Sequence, residues 1–430
     1  MRSLLPKLGI RPQEAGPVGW SWLFAFAVFS AYYVIRPIRD EMGVSSGVEN
    51  LSWLFTGSLV GMIVVNPPFA YIAARLPRVR FVSASYRFFA VNLILFWVAL
   101  HLVGIDQRVW AGRLFFIWAS VFNMFVVSIF WSVMADVYSS DQGQRLFGLI
   151  GAAGTIGSIV GSSLTSLLSV QVGAANLLLL SGLLLEVAAL SARRLFGVTA
   201  PALSASGDGL KVSASGGTGG SAWAGIRSTF TDAYFINLTL HILLFTVVTA
   251  ILYFQQAVLV DRTFADSATR TRFFANVDLL VNVLTLATQT FATGWFIQVF
   301  GIVSALVFLP FVSVLGFSLL GLAPTVPVLM VFQVLRRVSN FAVNRPAREA
   351  LFTVVSAEDR YKAKSFIDTF VYRVGDQIGA WAYPALVALG ATVSGVSAVG
   401  VVLAMLSVAN AMWLGRRWRQ TRQIPPSAPA

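Results

Sequence analysis

The chain has 430 residues, of which 57% are hydrophobic and only 11% charged, and its mean hydropathy is +0.76. Soluble domains carry about 25% charged residues, so the composition excludes a soluble globular protein and describes a polytopic membrane protein. The formal charge of +13 would suggest nucleic acid in a soluble protein; here membrane orientation accounts for it, and no nucleic-acid partner is expected.

There is no cysteine, which rules out disulfide, thiol and iron–sulfur chemistry. Imidazole is offered only by His101 and His241. Lone histidines in apolar segments are usually packed residues, so neither a metal nor another cofactor is expected. The segment "GGTGGSAWAG" lacks the Lys-Ser/Thr ending of a phosphate loop and follows no strand, so it reads as a connector. With no nucleophile motif and no paired histidines, no enzyme is expected.

In chain order, the first apolar run covers roughly 17–38. It is too long for a signal-peptide core and lacks a small-residue cleavage site, so it reads as a retained span. It ends in "AYYVIRPIRDEMG" (Ala31–Gly43), where two arginines and two carboxylates crowd together. A helix continuing to about Glu41 would put Arg36 and Arg39 on one face, about a turn inside the outer boundary. Arginine binds carboxylate or phosphate oxygens as a fork, and Asp40 would orient one arginine before substrate arrives. Interfacial anchoring is the competing reading.

Further runs lie roughly at 51–73, 81–104, 110–135, 145–170 and 174–192, then at 230–260, 271–298, 301–321, 325–344, 365–389 and 392–415. The expected organisation is an N-terminal six-helix bundle (1–192), a cytoplasmic Gly/Ser-rich linker (193–229), a C-terminal six-helix bundle (230–415) and a cytoplasmic tail (416–430). With the N-terminus inside, 20 of the 31 basic residues fall on inner segments and seven on outer ones. That bias predicts cytoplasmic N- and C-termini.

The halves carry a weak repeat. A shift of 218 residues lays Asp141 to Gly161 over Asp359 to Gly379, pairing Gly157 with Gly375 and Gly161 with Gly379. Gly148, Gly151, Gly154, Gly157 and Gly161 form a small-residue ladder that admits a close helix neighbour. Tight packing and a gliding surface are compatible readings of it.

Charges inside spans are costly and usually have partners. They are Arg87 in the third span, Glu186 in the sixth, Asp278 in the eighth, Arg336 and Arg337 in the tenth, and Lys364, Asp368, Arg373 and Asp376 in the eleventh. Lys364 with Asp368, and Arg373 with Asp376, are spaced to meet on one helix face. They would either brace the helix or line a path for an anion. Arg75 and Arg78 lie in "RLPRVR" between the second and third spans, as topology markers or a gating loop. Glu186 is either a proton site or the partner of an arginine on another helix.

At "RPIRDEMGV" and "KAKSFIDTFVYRVGD" the chain resembles the ATP/ADP antiporter family of plastids and intracellular bacteria, nucleotide transporters within the major facilitator superfamily. Arg36, Arg39 and Asp40 match the family's Arg-x-x-Lys-Asp pattern with arginine in place of lysine. Lys364, Ile367, Asp368, Arg373 and Gly375 match its eleventh-span spacing. Ala363 replaces a family glycine, Asp376 reverses the charge of a family lysine, and "LFTVVSAEDRY" stands where a Phe-Asp-Pro-Thr-Lys stretch would be. The segment Arg270 to Gln289, with Asp278 and Asn282, is similar to free-living bacterial relatives.

The expectation is an all-α integral membrane protein of twelve transmembrane helices in two pseudo-symmetric halves, the major facilitator fold. Its function would be secondary active transport of a small organic anion by alternating access, and the resemblance implies a nucleotide. Expected substrate-binding residues are Arg36, Arg39, Asp40, Asp278, Asn282, Arg336, Lys364, Asp368 and Arg373. Glu186, Asp376, Arg75 and Arg78 are expected to couple or gate. The expected partners are the anion and the lipid bilayer, with the protein a monomer. A membrane sensor or assembly factor on the same fold is the alternative.

Overall fold

The computed structural model describes residues 10–205, 233–354, 364 and 366–423. Among these the regular structure is entirely helical. Six long helices come first: α1 (Ala15–Ser45), α2 (Leu51–Arg75), α3 (Arg78–Leu102), α4 (Ile105–Val137), α5 (Ser140–Val172) and α6 (Leu177–Ala205). They are followed by α7 (Ala233–Thr263), α8 (Ser267–Phe291), α9 (Thr293–Leu322), α10 (Val326–Leu351), α11 (Tyr372–Ala388) and α12 (Val393–Gln423).

Nine of these twelve are long and apolar enough to cross a membrane by length and composition. The other three are α6, α8 and α11. They carry Glu186, Asp278 and the Arg373–Asp376 pair respectively, and α11 has only 17 residues.

The first helix runs past the apolar run to Ser45, 31 residues in all. That is about 46 Å at 1.5 Å per residue, longer than the roughly 30 Å hydrocarbon core. "RPIRDE" is therefore helical, and Arg36, Arg39 and Asp40 are held on a rigid element. Pro37 lies inside the helix. Having no N–H, it leaves the carbonyl one turn earlier without its helical donor. Two π-helical turns interrupt the later helices, Ser339–Asn344 within α10 and Ile367–Val371 just before α11.

The chain forms two compact units. Unit 1 comprises Met1–Gly47, Thr56–Gly216 and Phe264–Leu279; unit 2 comprises Val48–Phe55, Gly217–Thr263 and Leu280–Ala430. Within unit 1, α1 packs on α5, α6 and α4, and α3 packs on α6. Within unit 2, α7 packs on α11 and α12, and α9 packs on α12. Moving each unit 1 pairing forward by six helices gives a unit 2 pairing, so the faint sequence repeat is a repeat of packing.

The repeat's paired glycines show how it is built. A Cβ on Gly157 would run into the Phe26 carbonyl oxygen, and one on Gly161 into that of Ser30. At Gly379 a Cβ would come within 2.8 Å of the Val247 carbonyl oxygen and 2.6 Å of the Ala250 Cβ. Contact this close replaces a missing hydrophobic driving force between helices in lipid. Ser30 Oγ uses it to donate to the Gly157 carbonyl at 3.0 Å. The expected five-glycine ladder is shorter than predicted: Gly148 and Gly151 face open space, and only Gly154, Gly157 and Gly161 meet α1.

Apolar side chains are left outside as well as inside. Phe88, Leu183, Trp295 and Leu322 are each more than half exposed, as side chains facing lipid would be. Buried polar groups in spans instead bond to nearby backbone: Thr165 Oγ1 donates to the Gly161 carbonyl and Thr246 Oγ1 to that of Ile242. Such bonds meet the hydrogen-bonding demand of a segment that water does not reach.

Candidate functional site

In unit 1 the site is built on the last third of α1. Arg36 Nη1 donates to Asp278 Oδ1 at 2.7 Å, joining residues 242 positions apart. The Asp278 side chain is 3% exposed and that of Arg36 22%, so this is a buried, charge-assisted bond. The Arg36 guanidinium also lies 5.8 Å from the centre of the Tyr33 ring.

Three residues on, Arg39 is held on three sides. Its Nη1 donates to Asp40 Oδ1 at 3.0 Å, its Nε donates to Ser120 Oγ at 3.2 Å, and its guanidinium lies 4.0 Å over the Phe116 ring. Ser120 donates in turn to the Phe116 carbonyl and accepts from Ser58. The expected orientation of an arginine by Asp40 is thus present at Arg39. Ser120 and Phe116 have no charge or motif to mark them in the sequence. They join the site only because α4 packs on α1.

The other unit 1 candidates have different settings. Glu186 is chelated by Arg87 through three hydrogen bonds of 2.6, 3.0 and 3.1 Å, linking α3 to α6. Their side chains are 44% and 35% exposed, so the pair lies on the surface of the unit, and Glu186 has an arginine on another helix beside it. Arg78 Nε donates to Asp136 at 2.5 Å and its Nη2 bonds Ser132, fastening the start of α3 to the end of α4. Arg75 stacks over Tyr71 at 4.1 Å. Glu14 binds Arg145 at 2.8 Å and Gln142 at 3.1 Å, tying α5 to the residue that precedes α1.

In unit 2, Arg336 is 3% exposed. Its Nη2 donates to Thr249 Oγ1 at 2.7 Å and to the Phe245 carbonyl at 3.3 Å, and its Nε to Ser313 Oγ at 3.3 Å. All three acceptors are neutral. Asn282, one turn beyond Asp278 along α8, is buried, and its Nδ2 has no acceptor among the described residues. Arg373 and Asp376 approach to 3.8 Å, a weak contact at the predicted spacing of three.

Lys364 has a partner on another helix. Lys364 Nζ bonds Glu349 at the end of α10, so its charge is met by a different helix from the one it precedes. The side chain of Asp368 lies outside the described residues, as do residues 206–229 of the expected linker. No cluster of His, Asp or Glu among the described residues has the makings of a metal site.

Comparison with known proteins agrees with this architecture. The family model for the Major Facilitator Superfamily matches residues 19–269. No curated protein sequence matches the chain. Among solved structures, it is similar to the nucleoside transporter NupG at 14% identity, with 96% of this chain and 100% of that one covered and a TM-score of 0.57. It is similar to a POT family transporter in complex with a thioalcohol-conjugated peptide at 11% identity, covering 94% and 96%, with a TM-score of 0.62. A bacterial homolog of the human lysosomal transporter Spinster, in an inward-facing and unoccupied conformation, aligns at 15% identity over 96% and 99% with a TM-score of 0.58. These identities speak to fold, and with the family match over more than half the chain they place it: the protein belongs to the Major Facilitator Superfamily.

Proposed function

We propose that this protein is a secondary active transporter that moves a small organic anion across a bacterial inner membrane by alternating access. The motif resemblance to ATP/ADP antiporters makes a nucleotide the leading anion. The observation that carries the reading is the Arg36–Asp278 bond. An arginine buried in a spanning helix needs a counter-charge, and here a carboxylate supplies it from a distant stretch of chain. The Asp278 oxygen marks where an anionic oxygen binds. A substrate phosphate or carboxylate would exchange with it, and Arg39, fixed by Asp40, Ser120 and Phe116, would offer a second fork on the same helix.

In this reading Asp40 and Asp278 orient the arginines, while Asn282, Arg336, Lys364, Asp368 and Arg373 are the unit 2 candidates for contact with the anion. Arg78, bound to Asp136, is a candidate gate, with Arg75 beside it. Glu186 and Asp376 remain the carboxylates for coupling, Glu186 the weaker because Arg87 already chelates it. The protein acts as a monomer with both termini cytoplasmic. With no ATP-binding loop in the sequence, uphill transport would draw on an ion gradient or on exchange. Uptake of labelled nucleotides and smaller organic anions into proteoliposomes tests this. Uptake that falls in Arg36→Gln and Arg39→Gln, at normal protein levels, supports it; absence of uptake for every anion returns the sensor reading.

A further inference from the structure

A second feature of unit 2 is independent of the α1 arginines. Side chains from α7, α9, α10 and α12 enclose a small cavity, among them His241, Phe245, Ser313, Arg336 and Ser407. Two of these are polar groups with unmet needs. Arg336 has about five N–H donors and three bonds, all to neutral oxygens. No carboxylate among the described residues lies within salt-bridge distance of it, and the group that acts on it electrostatically is the Tyr372 phenol. His241 is 3% exposed and neither ring nitrogen has a hydrogen-bond partner among the described residues. Asn344 lies beside the ring without forming a bond of ordinary geometry, and Arg348 adds positive potential there.

A buried cation without a counter-charge is among the costliest arrangements in a protein interior. Water in the cavity would satisfy donors but would not neutralise the charge. The cavity volume is about 10 Å3, close to the least space that one water occupies. That is room for a monatomic ion.

We propose that this cavity is a binding site for a halide-sized monovalent anion, held by the Arg336 guanidinium and by an N–H of His241. The cavity wall explains the selectivity: Thr249 and Ser313 fix the guanidinium from one side, and the Phe245 ring lies 5.4 Å from it. The free donors of Arg336 and His241 are then those that line the cavity. The ion would complete the charge balance of unit 2 in the way that Asp278 does for Arg36 in unit 1.

The test uses the purified full-length protein in detergent, melted in sodium chloride and in sodium gluconate at equal ionic strength, with sodium bromide as a second halide. Chloride and bromide should raise the melting temperature saturably and gluconate should not. Arg336→Met should abolish the chloride dependence. His241→Phe should weaken the apparent chloride affinity about tenfold or more, the effect of losing one hydrogen bond to a charged group. Identical melting in chloride and gluconate overturns the proposal, and so does a chloride shift that survives in Arg336→Met, which would place the ion elsewhere. If Arg336→Met does not fold, the wild-type comparison and His241→Phe still decide, since unchanged affinity in the latter removes the assigned site. No transported substrate enters this assay, so it stands or falls apart from the uptake experiment.

Discussion

Arg36 in unit 1 and Arg336 in unit 2 are both arginines inside spanning helices, and they solve the same problem differently. Arg36 has an aspartate at 2.7 Å; Arg336 has two hydroxyls and a carbonyl, all neutral. A guanidinium with a fixed carboxylate is a closed pair, which a substrate would enter only by exchange. One solvated only by dipoles has its counter-charge still to come. The difference teaches that burial alone does not define a binding arginine: what decides is whether the protein supplies the opposite charge.

The largest expected effect comes from breaking the closed pair. Arg36→Gln leaves Asp278 buried beside a neutral amide and should cost about 3–5 kcal/mol of stability, read as a large drop in melting temperature in detergent. Arg36→Gln combined with Asp278→Asn should recover much of it. Single-variant losses that add in the double variant would show that the two residues do not act as a pair. Arg336→Met in gluconate, by contrast, should cost much less, because no charged partner is stranded.

Next in size is Arg39. Arg39→Gln should weaken apparent substrate affinity about ten- to a hundredfold, the worth of a charge-assisted hydrogen bond, with Arg39→Lys retaining part of it. Unchanged affinity in both would reduce Arg39 to an anchor for α4. The packing repeat predicts smaller but paired effects. Gly161→Ala and Gly379→Ala should each cost about 1–3 kcal/mol through overpacking, while Gly148→Ala, facing open space, should be neutral or stabilising by helix propensity. A neutral result at Gly379 with a loss at Gly161 would break the equivalence of the two units.

The smallest effect concerns Asp266, which caps α8 by accepting from the Ala268 and Thr269 amides at 2.9 and 3.0 Å. The Thr269 hydroxyl first, and then those amides, hold its carboxyl below the usual aspartate range. Asp266→Ala should cost about 1 kcal/mol or less. Because the folded value is depressed, the cap contributes fully above the unfolded value of about 3.9 and fades as pH falls through the folded one. Melting temperature should therefore decline more steeply on acidification in the wild type than in Asp266→Ala.

Much of the fold was legible without coordinates. Apolar run length and the basic-residue bias require no knowledge of packing, because the bilayer is a uniform solvent that selects spanning helices residue by residue. Asp40 could be assigned to an arginine from adjacent positions, and Arg373 with Asp376 from a spacing of three, since a helix makes such neighbours locally. The 218-residue repeat was just visible through its glycines, because close backbone approach tolerates no side chain at Gly157, Gly161 or Gly379.

Composition and periodicity therefore determined that this chain is a bundle of spanning helices, where those helices lie, and which charges sit inside them. Only the tertiary structure decided which charges meet. It gave Arg36 to Asp278, Glu186 to Arg87, Arg78 to Asp136 and Lys364 to Glu349. It also left Arg336 and His241 around one cavity with no acid among the described residues to pair with. The physical reason is that local spacing orders charges along one helix face, whereas pairing between helices depends on which faces pack. In lipid that packing is set by small residues and shape, which carry no record of the charges they bring together.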